Sequence, residues 1–256
     1  DDETLTEQAS LLSSLVKQDK EILQSIQNKI EEFLLDIPNL IHDSVPVGED
    51  ETFNEVIEEV GDIPNFSFDP LDHSFFIEKS DEGRGAKIAK SRFSALSGDL
   101  AKLHRVLGQF MMDIHTNDHG YEELYVPYLI NKTSLIGTGQ LPKFEDDLFK
   151  LNGNTDLYLT PTAEVPVTNL HRDEIFKAEQ LPIKYVCHSP CFRSEAGSYG
   201  KDTKGLIRQH QFDKVELVKI CHPDASEDEH LKLIEDACKI LELLAVSYTH
   251  LTLPTT

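Results

Sequence analysis

A chain of 256 residues with 46 acidic and 24 basic side chains, net charge −22, is long enough for one sizeable domain plus an appendage. It is too acidic to hold nucleic acid through general phosphate attraction, which argues against a DNA partner. No apolar run approaches the length of a membrane span and the acidic start lacks the basic-then-apolar order of a signal peptide, so a soluble cytoplasmic protein without a membrane partner is expected. The charge is uneven: residues 1–82 carry 22 acidic against 4 basic side chains, a balance of −18, and residues 83–256 carry 24 against 20, a balance of −4. Any contact with RNA must therefore be a local basic patch.

Leu5, Ala9, Leu12, Val16, Asp19, Leu23, Ile26, Ile30, Phe33 and Ile37 alternate at spacings of four and three, an a/d heptad seam broken only by Asp19. Residues 1–37 thus read as a coiled-coil helix seeking a partner, ending near Asp36 because Pro38 disfavours helix before it. Residues 38–82, rich in acid, Pro and Asn and without sustained periodicity, read as a linker with short elements. Ser91–Leu96 has the pattern of a strand. Leu103, Val106, Leu107, Phe110, Met111 and Ile114 then recur at helical spacing over Leu100–Asn117, with Gly120 beyond the end. Tyr121–Ile130 reads as a strand confined to an edge or interface, because Pro127 cannot donate to a central ladder.

Thr138–Phe144, with Gly139, Pro142 and Lys143, reads as a shaped loop. Thr160–Pro166 reads as a polar strand end, which would project Thr162 and Glu164 to one side. Cys187 and Cys191 bracket His188. Their spacing of four puts both thiols on one face of a strand with no second ligand pair, so no protein-held metal is expected. With Cys221 and Cys238 they make four scattered cysteines, too few for a disulfide scaffold and suited to a reducing compartment.

The most informative stretch is Phe192-Arg193-Ser194-Glu195, followed after a loop holding Gly197, Gly200 and Gly205 by Leu206-Ile207-Arg208-Gln209-His210-Gln211-Phe212-Asp213-Lys214-Val215-Glu216. It reads as a polar hairpin. An unbulged second strand would put Arg208, His210, Phe212, Lys214 and Glu216 on one face, with Arg193 and Glu195 sharing a face on the first strand. Arginine supplies forked donors for phosphate, an aromatic offers a surface for a base, and a carboxylate receives an ammonium or hydroxyl. Each side chain alone is ordinary surface chemistry, and His210 reads as a hydrogen-bonded strand residue. The conjunction describes a nucleotide site.

This stretch resembles motif 2 of the class II aminoacyl-tRNA synthetases, and its wording resembles seryl-tRNA synthetase in particular. Thr138–Phe144 and Thr160–Pro166 resemble blocks of the same family, and the likeness runs from about Ile37 to Leu243. The resemblance implies an α+β fold with an antiparallel sheet flanked by helices over residues 83–244, preceded by a partial coiled-coil arm that recognises tRNA. It implies that the helix and strand of 100–130 are motif 1, which builds a homodimer. ATP, with Mg²⁺, would be bound by Arg193, Ser194, Glu195, Arg208 and Phe212, with Arg193 and Arg208 as the catalytic pair. L-Serine would be bound by Thr162, Ala163, Glu164 and Glu216. The implied activity is formation of seryl-adenylate and transfer of serine to tRNA(Ser) and, where one exists, tRNA(Sec).

Two departures complete the reading. The first helix of the arm is missing, and after Leu244 the likeness gives way to a Thr-rich tail, 245–256, in which motif 3 does not arrive. The 256-residue chain itself is therefore expected to be catalytically silent and prone to associate, the activity belonging to a longer parent. The rival readings are a class II relative that loads a carrier protein, against which the arm argues, and a noncatalytic interaction module retaining the hairpin.

Overall fold

The computed structural model describes residues 2–153, 155–196 and 204–252, and the chain falls into two compact units, residues 1–42 and 43–256. Gly197 and Gly200 of the motif loop and residues 253–256 of the tail lie outside the described residues. In the first unit a helix, α1 (Asp2–Leu35), carries the heptad seam from Leu5 to Phe33, and Ile37 falls just past its end. It ends in tight turns, Asp36 N to Phe33 O and Ile37 N to Leu34 O, just ahead of Pro38. Leu12, Val16, Leu23, Ile26, Ile30 and Phe33 are all exposed, Phe33 to 68%. Among the described residues nothing in its own unit buries this stripe.

The second unit runs β1 (Glu55–Val60), α2 (His73–Asp81), α3 (Arg84–Ile88), α4 (Gly98–Asn117), β2 (Glu122–Glu123), β3 (Leu129–Asn131), α5 (Lys132–Gly137), β4 (Leu157–Leu159), α6 (Glu164–Asn169), β5 (Ile183–Phe192), β6 (Gln211–Ile220), α7 (Ser226–Leu243) and β7 (Tyr248–Thr252). Its strands form a three-stranded sheet in the order β2-β5-β6 and two pairs, β1-β7 and β3-β4. Thus 38–82 contains a strand and a helix, and the strand pairs with one from the tail. The α+β architecture matches the expectation, with one difference. β2 joins β5 in parallel while every other pairing is antiparallel, so the principal sheet is mixed.

The hairpin organises this unit. β5 and β6 pair without interruption from Ile183↔Ile220 to Phe192↔Gln211, and Arg193 N to His210 O, 3.0 Å, adds one further rung. Alternation then assigns the faces. On one face Val186, with Val215 and Leu217 behind it, packs against Met112 of α4 and Tyr121. The close approach explains a glycine in mid-helix: a Cβ on Gly108 would stand 2.9 Å from the imidazole of His188. On the other face Tyr185 and Cys187 pack with Val126, Ala163 and Val167, the last on α6. A separate cluster of Ile130, Leu135, Leu141, Leu148, Tyr158 and Val165 supports the loop that follows α5.

Two expected strands are not continuous. Ser91–Leu96 is a loop: Arg92 takes a left-handed φ of 63°, and the backbone bonds to a side chain through Ala95 N to Asp81 Oδ1, 3.1 Å, in place of a ladder. Tyr121–Ile130 splits into β2 and β3, which enter different sheets on either side of Pro127. The edge position of β2 is as expected, since proline removes the donor a continuing ladder needs.

Behind the sheet lies a buried polar network. Tyr121 donates to Asp236 Oδ2 at 2.7 Å, His119 Nδ1 lies 3.5 Å from Asp236 Oδ1, and His115 Nδ1 meets His119 Nδ1 at 3.0 Å. Lys219, 5% exposed, stands 3.3 Å from Glu229 and 3.6 Å from Asp236. These bonds tie α4, β6 and α7 together. Burial, reinforced by His119 and opposed by Asp236, holds His115 below the ordinary imidazole value. The unfolded chain therefore binds the proton first as pH falls, so stability present above about pH 6.5 is lost below it, by at most ~1.4 kcal/mol per pH unit for one proton. Urea midpoints at pH 7.5 and 5.5 will show this fall, and His115→Asn will reduce it; an equal fall in both proteins would remove His115 as the cause.

Candidate active site

The site is built where the hairpin leaves its ladder. β6 begins at Gln211, so Phe212, Lys214 and Glu216 alternate onto one face as expected, whereas Arg208 and His210 precede the strand and Arg193 to Glu195 follow the end of β5. The two arginines are thus loop residues held by specific bonds. His210 is structural: its Nδ1 lies 3.1 Å from Arg193 O and its ring packs on Phe93.

A cleft of about 410 Å³ opens between these loops and the segment after α5, lined by Gln140, Phe144, Asp147, Leu148, Pro161, Thr162, Arg193, Glu195, Ala196 and Arg208. A neighbouring hollow, also about 410 Å³, is shared by Arg193, Glu195, Arg208 and Phe212. Arg193 lies across the junction. Its Nε donates to Pro161 O at 3.3 Å, and its guanidinium stands 5.4 Å from the centroid of the Phe212 ring, within cation–π range. Arg208 donates to Glu195 Oε2 at 2.9 Å. Glu195, 13% exposed at its side chain, adopts a left-handed φ of 50°, uncommon for a residue with a Cβ and a feature that gathers at binding sites. Ser194 turns away from the cleft, its hydroxyl donating to Asp146 O and its amide to Asp147 O. Asp147 Oδ1 accepts from Ala196 N at 2.8 Å, tying the loop to the opposite wall.

At the other end three polar side chains close on one another. Thr162 donates to Glu216 Oε2 at 2.8 Å, Lys214 donates to Thr162 Oγ1 at 2.7 Å, and Lys214 Nζ stands 2.7 Å from Glu216 Oε2. The neighbours in register of Glu216, Lys214 and Phe212 on β5 are Cys187, Ser189 and Cys191, small and almost wholly buried, which leaves room above them for the longer side chains of β6. Burial pushes the Cys187 thiol up to about 11 and raises Cys191 likewise, so both stay protonated and inert at neutral pH. Among the described residues no group of three or more His, Cys, Asp and Glu is placed to hold a metal.

The expected serine segment is not a strand. β4 ends at Leu159 and α6 begins at Glu164, so Thr162, Ala163 and Glu164 form a turn into a helix. Thr162 faces the cleft, Ala163 is wholly buried in the core with Val167 and Tyr185, and Glu164 is exposed as the first helical residue. Strand alternation does not reach Thr162 and Glu164 because the chain bends at Pro161. Gln140, Phe144 and Asp147 line the cleft and Lys214 joins Thr162 and Glu216, though the sequence had assigned none of them to the site. Lys214 was visible in the alternation, but a cation beside a carboxylate reads as a surface pair. Gln140 and Phe144 stood in a loop that resembled a family block but had no role assigned to it.

Known proteins resemble this chain in sequence and in fold. The family model for the tRNA synthetase class II core domain (G, H, P, S and T) matches residues 144–256. A serine–tRNA ligase of Legionella pneumophila (strain Lens) is 54% identical over 249 residues, 96% of this chain and 58% of that protein. One of Dechloromonas aromatica (strain RCB) is 56% identical over 236 residues, 90% of this chain and 55% of that protein. Among solved structures, seryl-tRNA synthetase from Pyrococcus horikoshii complexed with ATP superposes with a TM-score of 0.82 at 33% identity, covering 91% of this chain and 57% of that one. The cytoplasmic serine–tRNA ligase from Naegleria fowleri in complex with AMP gives 0.81 at 29% identity, covering 91% and 56%. The chain spans less than two thirds of each of these relatives.

Proposed function

We propose that the chain belongs with the seryl-tRNA synthetases, to which it is similar in sequence along 96% of its length and in fold along 91%, and that the whole protein carrying it activates serine with ATP and transfers it to tRNA(Ser) and, where one exists, tRNA(Sec). The observation that supports this most directly is the continuity of two half-sites. Pro161, which accepts from Arg193, is followed in the chain by Thr162, which donates to Glu216. One side suits a nucleotide and the other an amino acid.

In this reading adenine stacks on Phe212, and Arg193 neutralises the α-phosphate between the ring and Thr162. Arg208 swings from Glu195 to the outer phosphates. Glu195 and the Ser194 turn hold the loop that carries them. Serine's ammonium and hydroxyl meet Thr162 and Glu216, with the backbone of Ala163 and the carboxylate of Glu164 at the entrance. A carboxylate oxygen of serine bonds to the α-phosphorus as the bond to pyrophosphate breaks, and the terminal ribose hydroxyl of tRNA then takes the acyl group, releasing AMP. Such chemistry needs positioning and charge neutralisation more than proton transfer. Magnesium would arrive on the phosphates of ATP. Asp147 and Glu195 are already engaged by Ala196 N and Arg208.

The arm and the dimer belong to the same proposal. The exposed seam of α1 suits a second helix of a tRNA-binding arm, and Leu103, Val106, Tyr125 and Leu129, exposed on motif 1, suit a homodimer contact. No described helix is long and apolar enough to cross a membrane, which accords with a cytoplasmic enzyme. Serine-dependent exchange of pyrophosphate into ATP tests the proposal: the whole protein should show it, and exchange no faster with serine than without it would refute the reading.

A further inference from the structure

We propose that Lys214 is a positioning residue for the amino-acid end of the cleft, its ammonium holding Glu216 Oε2 and Thr162 Oγ1 together so that Oε1 of Glu216 is presented to the substrate. The inference rests on the function proposed above and goes beyond it, because nothing in that chemistry requires a lysine. Lys214 makes two contacts of 2.7 Å at once, and Thr162 closes the triangle at 2.8 Å. Among the described residues all the bonds of Glu216 in this triangle use Oε2. That leaves its second oxygen to receive an ammonium or a hydroxyl.

An ordinary surface pair would not carry this argument, since exposed lysine–carboxylate pairs contribute little and hold no fixed geometry. Here the Lys214 side chain is 32% exposed and that of Glu216 21%. The ammonium has two acceptors on different elements, the Thr162 turn and β6, so moving it disturbs both. The bonds to the carboxylate are charge-assisted, the stronger and more directional kind. Lys214 also offsets the charge of Glu216, which lets serine's own carboxylate pass toward Arg193 without facing an uncompensated anion. Deleting the ammonium would free Glu216 to rotate and leave Thr162 with one partner fewer. Serine recognition should suffer and the nucleotide side should not, because Arg193 and Phe212 hold each other independently of Lys214.

The test measures pyrophosphate exchange by the whole protein with Lys214→Met and Lys214→Arg. Lys214→Met should raise the KM for serine by ~10-fold or more, the scale of one lost charge-assisted hydrogen bond, while the KM for ATP stays within ~3-fold. Its preference for serine over alanine should fall in step, and Lys214→Arg should recover most of the loss. If Lys214→Met does not fold, judged by ATP binding in a calorimeter, Lys214→Gln takes its place with the same expectation. An unchanged serine KM, or equal rises for serine and ATP, would overturn the assignment. A parent protein without serine-dependent exchange would instead remove the underlying function, so the two failures are separable.

Discussion

Serine will be used by the whole protein in preference to alanine by more than ~10³-fold in kcat/KM, the scale on which a site built to bond a hydroxyl rejects an analogue that lacks it. Thr162 is 4% exposed, and its hydroxyl, the Glu216 carboxylate and the Lys214 ammonium already satisfy one another. Serine can extend this network by donating its own hydroxyl to Oε1 of Glu216, the oxygen outside the triangle. Alanine fills the same volume with a methyl group and leaves an acceptor desolvated and unpaired, which is the larger part of the cost. Parallel pyrophosphate-exchange assays with the two amino acids decide it, and comparable efficiencies would show that this cluster does not read the hydroxyl.

Arg193→Ala will slow adenylate formation by ~10²-fold or more, the usual consequence of removing a preorganised charge from a transition state. The guanidinium is held by Pro161 O and lies near the Phe212 ring. It is therefore aimed before substrate arrives and needs no reorganisation when charge develops on phosphorus. Glu216→Gln should separate from it by raising the KM for serine with little change in that for ATP. Single-turnover adenylate formation at saturating serine gives the comparison. A normal rate in Arg193→Ala would mean that the arginine is a structural brace and that the phosphates lie elsewhere.

Much of the fold was legible because its signals are local. The seam of α1, the apolar spacing of α4 and the alternation of Phe212, Lys214 and Glu216 follow from backbone periods that hold whatever the surroundings. The edge position of β2 followed from the missing donor of Pro127. The failures share a cause. Ser91–Leu96 has a strand's composition, but Asp81 and the left-handed Arg92 take its backbone elsewhere. Thr160–Pro166 alternates like a strand, yet bends into α6.

Side-chain chemistry and a motif carried in order are readable from the residues alone, and they marked Arg193, Arg208, Phe212, Thr162 and Glu216 as suited to a nucleotide and an amino acid. How these residues meet depends on contacts between distant segments. Arg193, Pro161 and Thr162 are brought into line with Phe212 and Glu216 by hydrogen bonds between segments 32 and 54 residues apart. No periodicity encodes such distances. They arise when the faces of one hairpin must be buried, α4 against one and α6 against the other, and the polar ends of both strands are left over the cleft.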